Sequence, residues 1–249
     1  MSTHLYCVLP DAATGEIPPG LSGVEGARVR AIPLDHLVAW VSDVPRDVPV
    51  SVDGVRAHDA VVEAALETGS TPVPARFGQR FDDDLACQLA LTSRAASVES
   101  LVTGVQGLVE MTILIAPSTK RMLRDLEPVL PEMVDTGAPG SGRKYLETLR
   151  AREAATGTIG LATEELADRI AGATSEFVRR TTVHKTGTPL PLRTISHLVA
   201  REDLEDYREA IGAVDGGSEF RFLVIGPRAP YSFCALKSDG GKHGMNLAD

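Results

Sequence analysis

Apolar residues in this chain fall into short unbroken runs and helix-period stripes, separated by proline and glycine. Leu5-Tyr6-Cys7-Val8-Leu9, closed by Pro10, predicts a buried strand. Asp11 to Gly26, rich in Gly, Pro and small residues, predicts a loop. Val29 to Leu34 and Leu37 to Val41 predict two more strands, joined tightly through Asp35-His36. Further on, Val55, Val62 and Leu66 share one helical face with Val61 and Ala65 beside them. This predicts an amphipathic helix from about Gly54 to Thr68, stopped by Gly69.

Thr71 to Phe77 reads as extended chain, with Val73, Ala75 and Phe77 on one side and Pro74 and Arg76 on the other. Pro72 and Pro74 donate no ladder hydrogen bond, so this strand belongs at the edge or start of a sheet. Asp82-Asp83-Asp84 supply a cap and negative charge for a helix running through Leu101. Leu108 to Ile115 is the clearest strand of the chain, and Gly137 to Gly142 predicts a flexible connection. Arg143 to about Thr182 predicts helix, broken near Thr156-Gly157-Thr158. Leu146, Leu149, Leu166, Ile170 and Phe177 form its stripe, and Glu165/Arg169 and Glu176/Arg180 are pairs spaced by four. Strand (Arg193 to Ala200), helix (Arg201 to Val214) and two strands (Glu219 to Ile225, Tyr231 to Leu236) complete the pattern. The order suits an α+β fold of the ferredoxin-like kind. Two domains are expected, a mixed α+β domain over 1–106 and a ferredoxin-like domain over 107–249, the latter with a long helical insertion and a polar tail.

Composition narrows the function. An apolar fraction of 43% with 24% charged residues is that of an ordinary soluble globular protein. A net charge of −9 without any Lys/Arg-rich run argues against nucleic acid. Leu108 to Ala116 is too short to span a membrane and contains Glu110; the first residues lack a basic-then-apolar leader, so a cytoplasmic location is expected. Cys7, Cys87 and Cys234 have no metal or redox spacing and read as buried thiols.

Catalytic signatures are absent from the sequence: there is no Gly-x-Ser-x-Gly elbow, no Walker loop and no zinc-type spacing. No cofactor or metal is expected. Gly240-Gly241-Lys242 sits in a polar tail without a following helix. His58, His184 and His197 have no ligand partner at a recognisable spacing, and His58 reads as a solvent-facing or internally satisfied residue. Arg76-Phe77 and Arg80-Phe81 stand apart as a repeated Arg-Phe pair at the exit of the expected edge strand. They read either as core anchors with capping arginines or as a docking edge, since arginine and aromatic residues dominate interface hot spots. Tyr231 and Phe233 carry the same two readings.

Taken in order, three segments bear a resemblance. His58 through Phe81, a helix followed by Pro74-Ala75-Arg76-Phe77-Gly78, resembles the helix-then-"P-x-R-F-G" segment of the gas vesicle GvpF/GvpL family. Gly142-Arg143-Lys144-Tyr145-Leu146 resembles its "G-x-x-Y-L" helix opening, and Gly226-Pro227 with Pro230-Tyr231-Ser232-Phe233 resembles its terminal "G-P-W-P-P-Y-S-F". Arg228 and Ala229 depart from it, standing where the family has Trp and Pro. The resemblance implies two α+β domains, the second a modified ferredoxin-like fold. It also implies a non-enzymatic accessory or minor structural protein of the gas vesicle that contacts the major shell protein GvpA and other accessory proteins. Arg76, Phe77, Arg80, Tyr231 and Phe233 are the candidate partner-binding residues. The alternative is a small-ligand or enzymatic module, because ferredoxin-like folds host many functions; a second rival is a scaffold that pairs with its own copy.

Overall fold

β1 (Ser2–Pro10) is buried nearly throughout because it runs inside a sheet. β3 (Leu37–Val44) pairs with one side of it; β4 (Val73–Pro74) and β5 (Arg80–Phe81) pair with the other, and β2 (Arg30–Leu34) lies outside β3. All these pairings are antiparallel. The computed structural model describes residues 1–11, 17–121, 141–184 and 192–234, and within 141–158 the backbone alone.

An unbroken apolar run cannot alternate in and out, and β1 has no need to, since both of its faces are covered. Its register shifts between Leu5, opposite Val41, and Cys7, opposite Trp40, so Tyr6 is an extra residue. Leu5 and Val8 therefore join one apolar cluster while Tyr6, Cys7 and Leu9 join the other. β3 divides in strict alternation, Ala39 and Val41 to the first cluster and Val38 and Trp40 to the second.

Helices close both clusters. α1 (Val52–Glu67) begins at Ser51, whose Oγ accepts from the Gly54 N–H at 3.0 Å. It covers the second cluster with Val61, Val62 and Ala65. Its buried face runs through His58, whereas Val55, expected in the stripe, is exposed. A histidine can hold a core position when its ring nitrogens are hydrogen-bonded inside the protein. α2 (Asp84–Thr92) and α3 (Ala95–Val105) cover the first cluster with Cys87, Leu91, Val98, Val102 and Val105. A single helix through Leu101 was the expectation; the chain breaks at Ser93-Arg94, where Ser93 Oγ donates to the Ala90 carbonyl at 2.9 Å. Asp83 caps α2 through the Ala86 N–H at 2.8 Å, a contact of about 1 kcal/mol.

The second sheet is built by β6 (Leu108–Pro117), α4 (Ser141–Thr174), β7 (Val178–His184), β8 (Arg193–Ala200), α5 (Leu204–Gly212) and β9 (Phe220–Arg228). Its strand order, β7-β8-β6-β9, together with the sequence β-α-β-β-α-β, is the ferredoxin-like arrangement. Two sequence readings are corrected here. α4 runs without a break through Thr156-Gly157-Thr158, because one glycine costs only about 1 kcal/mol in a helix anchored by buried Ile159, Leu166 and Ile170. Helix was expected to reach Thr182 but ends at Thr174. The β-branched run Val178 to Val183 forms β7 beside β8, so Glu176 and Arg180 are not a helical pair.

By its contacts the chain divides into two compact units. One comprises Met1–Met111, Leu198–Arg201 and the chain from Gly226 on; the other comprises Thr112–His197 and Glu202–Ile225. Within the second, His197 Nδ1 lies 3.1 Å from Tyr207 Oη on α5. The Gly137–Gly140 connection, the end of the expected strand at Ala235-Leu236 and the Gly240-Gly241-Lys242 tail lie outside the described residues.

Candidate functional site

The Pro-Ala-Arg-Phe-Gly segment lies along the outer edge of β1. Val73 stands opposite Val8 and Pro74 opposite Cys7, and the Ala75 N–H donates to the Tyr6 carbonyl at 2.8 Å. The ladder is interrupted at Arg76 to Gln79 and resumes where β5 meets Thr3 and His4. In the gap, the Gln79 N–H donates to the Arg76 carbonyl at 3.1 Å, and exposed Gly78 has φ of +89°, a conformation that disfavours a side chain. Outermost placement suits Pro74, which has no N–H to offer a further strand.

Thr71 to Ala75 are buried, so the strand itself offers no open edge. Its start is tied down on that side: Thr71 Oγ1 donates to the Leu108 carbonyl at 2.8 Å, and Gln106 Nε2 donates to the Thr71 carbonyl at 2.9 Å. The alternation also fails after Ala75. Val73 and Ala75 belong to the first cluster, whereas Phe77, expected on the same side, packs against the second. Phe77 and Arg76 are half-buried. Arg80, also half-buried, donates from Nη1 to the Arg46 carbonyl at 2.8 Å.

Two buried histidines hold this segment from beneath. His58 Nε2 lies 2.9 Å from the Ala75 carbonyl, which can only accept, so that nitrogen carries the proton. His58 Nδ1 is then the acceptor for His4 Nε2 at 2.9 Å, and the pair is a chain of neutral rings. Burial, above all, pushes both below the ordinary value of 6.5, His58 to about 4 and His4 to about 3, the latter also disfavoured by charge on His58 and by Arg80. Phe77 stands over both, its ring centre 5.8 Å from that of His4 and 5.9 Å from that of His58. A Cβ at Gly54 would come within 3.1 Å of Phe77 Cζ, so glycine allows this approach. The sequence carried no signal for the pair, since His4 and His58 are far apart in the chain and meet only across β1 and α1.

The Gly226 to Phe233 segment is also held by α1. Gly226 has φ of +134°, and a Cβ there would fall 2.6 Å from the Glu110 carbonyl oxygen and 2.8 Å from Met111 Sδ. Arg228 forms ion pairs with Asp59, and with Glu63 at 3.3 Å, both on α1. Burial pushes the Glu63 carboxyl up, and Arg228 offsets this only in part. Beyond it, Ala229 is buried in the second cluster and Tyr231 packs half-buried against it, its phenol pushed up chiefly by burial. Glu110 accepts from the Ser232 N–H at 2.8 Å and from the Ser232 hydroxyl at 2.6 Å.

These bonds make a turn of a segment expected to be a strand: the Tyr231 N–H donates to the Ala229 carbonyl and the Phe233 N–H to the Pro230 carbonyl. Phe233 is 4% exposed in the first cluster, so it packs the core. Phe77 and Tyr231 thus share one cluster, Phe233 lies in the other, and a single helix anchors both motifs through His58, Asp59 and Glu63.

One cavity among the described residues, about 800 Å³, is an open groove lined by residues that include Ile17 to Leu21, Val29, Arg30 and Asp43, and none of the motif residues lines it. Among the described residues no three His, Cys, Asp or Glu side chains are grouped to hold a metal, and no helix is long and apolar enough to cross a membrane.

Comparison with known proteins follows the same lines. The fold is similar to the crystal structure of gas vesicle protein GvpF from Microcystis aeruginosa, at a TM-score of 0.71 and 18% identity, over 94% of this chain and 99% of that one. It is similar to GvpF from Anabaena sp. PCC7120 at a TM-score of 0.72 and 18% identity, over 95% and 99%. No curated protein matches the sequence. The family model for gas vesicle synthesis protein GvpL/GvpF matches residues 2–235, nearly the whole chain, and the protein belongs to this family of gas vesicle proteins.

Proposed function

We propose that this protein supports gas vesicle assembly in the cytoplasm by binding the major shell protein GvpA, and with it other accessory proteins, without catalysing a reaction. The observation that carries the reading is the convergence of both motifs on α1, which fixes the half-buried Arg76–Arg80 turn rigidly at the surface of the first unit. Arg76, Phe77 and Arg80 supply a guanidinium and aromatic contact of the kind that dominates interface energetics. Tyr231 packs against the same apolar cluster as Phe77, and Phe233 acts by holding the terminal turn in place. With Thr71 to Ala75 buried, the contact is docking on the turn and the surface around it.

Co-expression with GvpA and affinity capture tests this. The native chain is expected to retain GvpA, and the Arg76→Ala/Arg80→Ala double variant, folded as judged by its melting curve, to lose it. Capture by both keeps the function and moves the site; capture by neither removes GvpA as a direct partner. Mass in solution on dilution distinguishes a chain that waits for a different partner from one that pairs with its own copy.

A further inference from the structure

We propose that His58, set by His4, is a positioning residue: by taking the Ala75 carbonyl out of the β1 ladder it loops out the Arg76–Arg80 turn for docking. This rests on the reading that the turn binds GvpA.

The Ala75 N–H donates to the Tyr6 carbonyl at 2.8 Å. In a regular antiparallel ladder such a pair exchanges both bonds, so the Tyr6 N–H would return to the Ala75 carbonyl. The register stops one residue earlier, with Pro74 opposite Cys7, and the Ala75 carbonyl accepts from His58 Nε2 instead. The next bond to β1 is made by Gln79, whose carbonyl accepts from the Leu5 N–H at 3.0 Å. A single step along β1, from Tyr6 to Leu5, therefore spans the whole length from Ala75 to Gln79 on the outer segment. The excess chain is Arg76, Phe77 and Gly78.

Ala75 is fully buried, so its carbonyl needs a donor inside the protein. His58 supplies it from α1 and, at 2% exposure, is itself out of reach of any partner. His4 brackets the turn. Its backbone stands opposite Arg80, where the ladder resumes, and its Nε2–H donates to His58 Nδ1 at 2.9 Å. That bond keeps the His58 proton on Nε2, facing Ala75. Phe77 lies against both rings, so the same pair seats the looped-out side chain. Without a donor at position 58, the Tyr6 N–H is the partner that a regular ladder offers. Taking it turns the Ala75–Arg76 peptide and redirects Arg76 and Phe77.

The full chain and its variants are co-expressed with GvpA, and capture is compared per folded molecule. His58→Leu is expected to capture about tenfold less, as when only about one molecule in ten holds the turn looped out. His58→Gln, whose amide N–H can donate to the Ala75 carbonyl, is expected to restore most of the loss. Backbone amide spectra taken without GvpA are expected to shift at Arg76 to Arg80 in His58→Leu and to stay near native in His58→Gln. Native-level capture by folded His58→Leu, unmoved amides at the turn, or equal loss in both variants overturns the positioning role while leaving GvpA binding intact. Should His58→Leu not fold, ring-nitrogen spectra of the native chain decide: a proton on His58 Nε2 supports the proposal and one on Nδ1 alone overturns it. If the native chain captures no GvpA, the reading beneath the proposal is overturned.

Discussion

The two motifs that meet on α1 are held by opposite chemistry. Beneath Ala75 and Phe77 lies a chain of neutral hydrogen bonds, from His4 to His58 to the Ala75 carbonyl, sealed from water. Around Arg228 the anchors are the partly exposed carboxylates Asp59 and Glu63, and Ser232 is held by the buried Glu110. A buried neutral bond contributes by keeping polar atoms satisfied, so losing one partner costs the desolvation of the other. A half-exposed ion pair is screened and contributes little. The first motif is therefore anchored by bonds inside the core, while in the second Arg228 is attached at the surface and Ala229 and Phe233 pack inside.

The largest expected effect comes from the neutral side. His58→Ala leaves the Ala75 carbonyl and His4 unpaired and opens a cavity under Phe77, and it should cost about 2–4 kcal/mol in urea unfolding. Near-native stability would show that the histidine pair is not an anchor.

Titration sharpens the point. His58 and His4 in the folded protein titrate near 4 and 3, against 6.5 in the unfolded chain. As pH falls below about 6.5 the unfolded state takes up protons that the folded state refuses. Their stabilisation is full above that value and is lost progressively as pH drops toward the folded pKa values. His197, pushed by burial to about 4, adds to the same trend. Melting temperature against pH should fall through this window, less steeply in His58→Gln.

Glu110→Ala should cost about 1–3 kcal/mol by orphaning the Ser232 N–H, with Glu110→Gln recovering part of it. Smallest of all, Arg228→Ala should cost less than about 1 kcal/mol, and the difference from native should shrink at high salt. A larger, salt-independent loss would place Arg228 among the core anchors and erase the contrast between the motifs.

Much of this architecture was readable from residue order. The apolar run at Leu5 to Leu9 demanded a covered strand, the pattern from Leu108 to Ile115 a second, and the Asp82-Asp83-Asp84 run marked the start of α2, where Asp83 is the residue that caps. Pro72 and Pro74 announced an edge, and Pro74 stands on the outermost strand. The misreadings have a common cause. Val178 to His184 carries both a plausible continuation of the helix and a β-branched run, and the neighbouring β8 decides between them. Tyr231 to Leu236 reads as a strand from its sequence, yet Glu110, distant in sequence, takes the Ser232 N–H and Tyr231 to Phe233 form a turn. Val55 fits the core stripe by its spacing, but the buried face of α1 runs through His58 instead.

The sequence by itself determined the family, the α+β class and the segments that matter, because periodicity, proline and glycine act locally and ordered motifs survive without any knowledge of packing. The tertiary structure alone decided that the two motifs share one helix, that Phe77 changes sides of the sheet after Ala75, and that His4 and His58 complete each other. Those outcomes depend on which polar atoms find partners once water is excluded, and that balance is struck between residues the chain brings together only on folding.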